Sequence, residues 1–149
     1  MNRERLKLTL MQAEGFSQPY FDVSQWSGGY GHKLLDSWPI KERGAAETAV
    51  ISIELALDWL NEDITIAVAD TLRLVHCFDA MDEPRQEALV EMAFNLGYSR
   101  LSGFKRMLAA IMEFDWERAA FEAKCSKWYR QVGKRGERIV ATLRGEVIA

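Results

Sequence analysis

The sequence predicts an α+β fold in which a small β-containing lobe lies near the N-terminus and a larger helical lobe follows, joined by a long helix. Three observations predict it. Apolar residues recur at helical spacing over residues 2–13 and again through most of residues 52–144. Between these stretches, Phe16, Tyr20, Phe21, Trp26 and Tyr30 interleave with Gly28, Gly29 and Gly31, a composition suited to short strands and tight turns. The chain has 149 residues, 48% of them hydrophobic and 28% charged, which suits one domain or two small lobes sharing a chain.

Each element has a local reason. Leu6, Leu10 and Ala13 mark one face of a short helix over residues 2–13, stopping near Gly15. Residues 36–50, with Pro39 and Gly44, read as a loop. Ile53, Leu57, Leu60, Ile64 and Val68 then fall at helical spacing, predicting a long helix from about Ser52, its cap, into the seventies. Asp82-Glu83-Pro84 is a strong helix start, and the apolar stretch Ala88 to Leu96 predicts a core helix that Gly97 ends. Phe104–Ile111, Trp116–Lys124 and Lys134–Arg144 each read as a short helix, with breaks near Asp115 and Ser126. The expected organisation is a single domain over 1–149. Its β-containing lobe covers about 14–51, its linking helix about 52–76, and its helical lobe about 77–149 plus the N-terminal helix 2–13.

No apolar run reaches the roughly 18 residues of a membrane span, and the N-terminal MNRERLKLTL has charges where a signal peptide needs its apolar stretch. Neither a membrane span nor an export signal is expected. Cys77 and Cys125 stand far apart, in no metal or redox spacing, and read as free or buried thiols. The net charge of −3 is unevenly spread. Residues 1–100 carry 9 basic and 16 acidic side chains, and residues 101–149 carry 10 and 6. The basic final third is either a solvated helix face or a surface for a polyanion such as nucleic acid, an anionic membrane or a wall polymer.

The stretch from Glu14 to His32, EGFSQPYFDVSQWSGGYGH, carries the candidate chemistry. Glu14 at a helix end and Asp22 in the following strand or turn can face one another across a cleft. Such a pair can divide glycoside hydrolysis, one carboxyl protonating the leaving oxygen while the other assists a water or the developing cation. Ser27 offers a hydroxyl to hold that water. The glycines allow close approach of a polysaccharide to the backbone, and Trp26 and Tyr30 offer apolar faces to sugar rings. Read singly, each residue has an ordinary role as a surface charge or core aromatic.

At these residues the sequence resembles the T-even phage lysozymes and related endolysins of glycoside hydrolase family 24. Glu14-Gly15, Tyr20-Phe21-Asp22 and Ser27-Gly28-Gly29-Tyr30-Gly31-His32 carry the resemblance. Asn61-Glu62-Asp63-Ile64, Ala93-Phe94-Asn95-Leu96-Gly97, Gly103-Phe104, Trp116 with Ala119-Ala120, Lys127-Trp128-Tyr129 and the run through Arg135, Arg138 and Arg144 continue it in order. The intervals from Glu14 to Asp22 and from Asp22 to Ser27 are each one residue shorter than usual in the family, so a trimmed hairpin is expected. The resemblance implies a lysozyme-like fold and a muramidase that cuts the β-1,4 bond between N-acetylmuramic acid and N-acetylglucosamine in bacterial peptidoglycan. It implies Glu14 as general acid, Asp22 as second catalytic carboxylate, and Ser27 where threonine is usual. An inverting reaction would separate the carboxyl groups by about 6.5 to 9.5 Å.

Further roles follow from the resemblance. Arg135 matches an arginine that pairs with the catalytic glutamate, and His32 with Asp63 matches an ion pair between the β-lobe and the long helix. Tyr30, Gly31, Lys33, Phe94 and Asn95 are substrate-binding candidates, with a solvated charge for Lys33 and a structural amide for Asn95 as the alternatives. Trp116, Trp128 and Phe121 are expected to fill the helical core. No metal and no organic cofactor are implied. The expected partner is bacterial peptidoglycan, with no nucleic acid and no stable membrane insertion. A monomer is expected, acting from the host cytoplasm on the periplasmic cell wall with a holin as its pore, or arriving with a virion. Two rivals share the motifs: a lytic transglycosylase on the same substrate, and a catalytically silent wall-binding or virion structural protein. A nucleic-acid-binding module, resting on the basic third alone, is a further alternative.

Overall fold

A computed structural model describes residues 1–22, 25–34 and 50–146, the Asp22 side chain excepted. The expected loop over 36–50 lies outside the described residues apart from Val50. The chain forms two compact units, residues 4–65 and residues 1–3 with 66 onward.

In the first unit, helix α1 (Arg3–Glu14) buries Leu6 and Leu10, four residues apart on one face. It ends because Gly15 turns left-handed (φ +68), its N–H donating to the Met11 carbonyl at 2.9 Å. A three-stranded antiparallel sheet follows, β1 (Ser17–Asp22), β2 (Gln25–Gly29) and β3 (His32–Lys33), in the order β1-β2-β3. Proline is tolerated in β1 because β1 is an edge strand. Pro19 falls where the pairing register shifts between Ser17 and Tyr20, so its missing N–H disrupts no regular ladder.

Register gives the sheet two unlike faces. Phe21 pairs with Trp26 and Gly28 with His32, setting these residues on one face. Tyr20, Ser27 and Lys33 pair across the three strands on the other. The first face packs on the start of helix α2 (Ile53–Leu74): Leu34, Ile51 and Ala56 form its buried centre, with Trp26, Tyr30 and Trp59 against them. Gly29 is needed there, since a Cβ would stand 3.2 Å from Ala56 Cβ and 3.3 Å from the Trp59 ring. The Gln18 amide completes the join, donating to the Ile51 carbonyl at 3.1 Å and accepting from its N–H at 2.8 Å.

Ser52 caps α2, its hydroxyl accepting from the Leu55 N–H at 3.1 Å. The stripe that α2 buries is Ala56, Leu60, Ile64, Ala67 and Thr71, whereas Ile53 is 57% exposed. The predicted apolar face is thus rotated: Leu60 and Ile64 stay on it, Ala56, Ala67 and Thr71 join it, and small Ala56 lets Gly29 approach closely.

In the second unit, helix α3 (Glu83–Ser102) starts at the Asp82 cap with Pro84 in its first turn, and every residue from Gln86 to Ala93 is buried. Gly97 (φ 79, ψ 167) breaks the helix as expected, but helix resumes through Ser102, a turn the sequence reading omits. Around α3 lie α4 (Lys105–Met112), α5 (Trp116–Lys124), α6 (Lys127–Val132) and α7 (Lys134–Arg144). Helix α6 was not predicted. Ser126, read only as a break, is its N-cap, accepting from the Tyr129 N–H. Trp128 fills the core at 3% exposure, as expected. Phe121 does not: it is 57% exposed, and Trp116 is half-buried beneath the Arg85 guanidinium, 4.4 Å from its ring centre. The small residues Ala119, Ala120 and Ala123 form the buried face of α5 instead. Both cysteines are free.

Candidate active site

The β2-β3 turn determines where Glu14 puts its carboxylate. Glu14 closes α1, and the left-handed turn at Gly15 sends the chain directly into β1. The Glu14 side chain then lies against Gly31: a Cβ at that position would stand 2.7 Å from Glu14 Oε2 and 2.9 Å from its Cδ. Gly31 also has φ +71, so it meets two demands only glycine satisfies, a left-handed backbone and a missing side chain under a carboxylate.

Ser27 is half-buried at the centre of the open face, in register with exposed Tyr20 on one side and exposed Lys33 on the other. Asp22 is the last residue of β1, paired with Gln25. Its side chain lies outside the described residues, as do Val23 and Ser24. Tyr30 is half-buried with its ring edge-on to Phe16, 5.7 Å between centroids. Trp26, offered by the sequence as a sugar platform, packs against the core and meets Phe21 edge-on at 5.6 Å.

Beneath the sheet, His32 Nδ1 donates to Asp63 Oδ2 at 2.7 Å, and its ring stacks on Trp59 at 4.5 Å with 14° between planes. Trp59, three residues after Ala56 and four before Asp63, projects from the same helical face. The sequence reading missed it, although that spacing was visible. The stack and the hydrogen bond together fix the β2-β3 turn, and with it Gly31, upon α2.

The other predicted residues belong to the second unit. Phe94 and Asn95 are half-buried on α3, and Asn95 Oδ1 accepts from Trp128 Nε1 at 2.8 Å. Its carbonyl is therefore committed to structure, leaving the amide hydrogens for any ligand. Arg135 donates through Nε to Glu91 Oε2 at 2.8 Å, and Arg138 grips both oxygens of the same carboxylate at 2.9 and 2.7 Å. Glu91, 1% exposed, is a functional candidate the sequence reading missed. Its signal was one acidic residue inside the run Ala88-Leu89-Val90-Glu91-Met92-Ala93. Among the described residues no group of His, Cys, Asp and Glu converges to hold a metal ion, and no helix is long and apolar enough to cross a membrane.

The family model described as phage lysozyme matches residues 11–144. The chain belongs to the phage lysozyme family. Its α+β architecture is that of the family, and its individual relatives vary in length and setting. A probable T4-type lysozyme 2 of Dictyostelium discoideum is 35% identical over 75 residues, 50% of this chain and 44% of that protein. The pre-baseplate central spike protein Gp5 of Enterobacteria phage T4 is 37% identical over 62 residues, 42% of this chain and 11% of that protein. The peptidoglycan hydrolase gp36 of Pseudomonas phage phiKMV is 31% identical over 134 residues, 88% of this chain and 14% of that protein. The aligned parts thus span less than half the length of these three relatives.

Proposed function

We propose that this chain is a peptidoglycan-degrading glycoside hydrolase, a muramidase cutting the β-1,4 bond between N-acetylmuramic acid and N-acetylglucosamine. The observation that carries the reading is the Glu14 carboxylate resting on Gly31 in a chain of the phage lysozyme family. Glu14 donates the proton to the leaving glycosidic oxygen, Asp22 acts as the second carboxylate, and Ser27 holds the attacking water from the open face of the hairpin. Tyr30, Gly31, Lys33, Phe94 and Asn95 contact the sugar chain. Arg135 is a supporting residue whose guanidinium is held by Glu91, while His32 and Asp63 brace the turn that carries Gly31. The enzyme serves host-cell lysis as a monomer, reaching the periplasmic wall from the host cytoplasm through a holin pore.

The relative named as a spike protein favours a second setting, a virion component that degrades the wall on entry. The test is fragment release from purified peptidoglycan by wild type and Glu14→Gln, with product masses recorded. Removing a general acid costs about 10²- to 10⁴-fold, so hydrated muropeptides from wild type and a loss of that size in folded Glu14→Gln are expected. Products lighter by one water identify a lytic transglycosylase. Wall binding with no fragments from the wild type overturns the enzymatic reading.

A further inference from the structure

The helical unit contains an open cavity of about 630 Å³ whose lining is electrically lopsided. Arg100, Lys105, Arg106 and Lys127 line it against one carboxylate, Glu122, with Phe104 and the buried Trp128 as its apolar wall. Five other arginines of this unit are engaged: Arg85 with Asp82, Arg135 and Arg138 with Glu91, Arg144 with Glu117, and Arg73 over the Tyr98 ring. The four cavity cations and Glu122 have no ion-pair or side-chain hydrogen-bond partner among the described residues.

Two of the four also oppose local helix electrostatics, whereas Arg100 sits in the last turn of α3, where the macrodipole favours positive charge. Lys105 and Arg106 open α4 at its N-terminus, where the macrodipole disfavours positive charge. Helix α4 has neither an acidic residue in its first turn nor a side-chain cap, whereas α2, α3, α5 and α6 are each capped by Ser or Asp. Four like charges gathered around one cavity, two of them against their own helix dipole, are a local conflict that a bound anion relieves.

We propose that this cavity is a binding site for a phosphoryl group. Three net positive charges call for a compact, multiply charged anion whose several oxygens accept from separate guanidinium and ammonium donors. A single carboxylate would leave most of that charge uncompensated. Two sources offer this chemistry: a free phosphate or pyrophosphate, and a phosphodiester polymer such as one attached to a bacterial wall. The site is independent of Glu14 and of the proposed hydrolysis.

The test titrates inorganic pyrophosphate into the full chain by calorimetry at constant ionic strength. Wild type shows saturable one-site binding. Lys105→Gln with Arg106→Gln weakens it by about a hundredfold, roughly tenfold per cation removed. Arg130→Gln with Lys134→Gln, a charge-matched change outside the cavity lining, leaves it unaltered. Parallel titrations with inorganic phosphate and polyglycerol phosphate separate the sources: binding of small anions alone assigns a free ligand, and binding of both assigns the polymer. Glu14→Gln retains pyrophosphate binding whether or not peptidoglycan is cleaved, so failure of the enzymatic reading stays distinct. Absence of saturable binding, equal weakening by both double variants, or equally tight binding of citrate overturns the proposal.

Discussion

Replacing Gly31 by alanine tests whether one missing side chain gives the Glu14 carboxylate its position. The change acts twice. At φ +71 an alanine pays the left-handed backbone cost of roughly 1–2 kcal/mol. Its Cβ would also lie 2.7 Å from Glu14 Oε2, about 0.7 Å inside ordinary van der Waals contact, so the carboxylate must move by about that much. A displacement near 1 Å at a catalytic group costs about 10²-fold in rate. Gly15→Ala separates the two effects, because Gly15 has φ +68 but nothing within 4 Å of its Cβ position. Both variants should lose roughly 1–2 kcal/mol in urea unfolding, a fall of about 2–8 °C in Tm for a domain of this size. Measured as muropeptide release below both transitions, Gly31→Ala should lose about 10²-fold while Gly15→Ala retains most of its rate. Full activity in folded Gly31→Ala, or an equal loss in Gly15→Ala, refutes the reasoning.

Other perturbations probe the rest of the structure. Ser27→Thr keeps the hydroxyl and adds the β-branch that restricts χ1 and suits a strand, so hydrolysis should rise a few-fold; an unchanged or lower rate rejects a water-positioning role. Glu91→Ala strands Arg135 and Arg138 beside a buried void and should cost about 3–5 kcal/mol in denaturant unfolding. Glu117→Ala, at an 81% exposed carboxylate 3.7 Å from Arg144, should change stability by less than about 0.5 kcal/mol in the same assay. Trp128→Phe removes the donor to Asn95 Oδ1 and should cost about 1–3 kcal/mol; a neutral result means that the carbonyl finds another partner.

Much of the helical architecture was legible because its signals are local. Ser52 and Asp82 cap the helices they were expected to start, and Gly15 and Gly97 turn left-handed where helices were expected to stop. Helix α6 was missed because six residues are too few to develop a periodic pattern, leaving the Ser126 cap as its only mark. Phe121 was misplaced for the opposite reason: composition favours a buried phenylalanine, but the close packing of α5 is made by alanines, turning the larger ring outward. The candidate site was legible as a motif, since Glu14, Ser27, Gly31 and His32 lie within nineteen residues of chain.

By itself the sequence determined the α+β class, the family, most helix boundaries and the identity of the candidate site residues. Capping, helical periodicity and the Glu14-to-His32 motif are all written in short stretches of chain. Only tertiary structure decided that Glu14 rests on Gly31 and that Trp59 stacks beneath His32. It alone decided that Glu91 holds two arginines more than forty residues away, and that cations from α3, α4 and α6 line one cavity. These arrangements depend on distances between residues remote in sequence, and such distances are set by how side-chain volumes pack and how buried charges find partners.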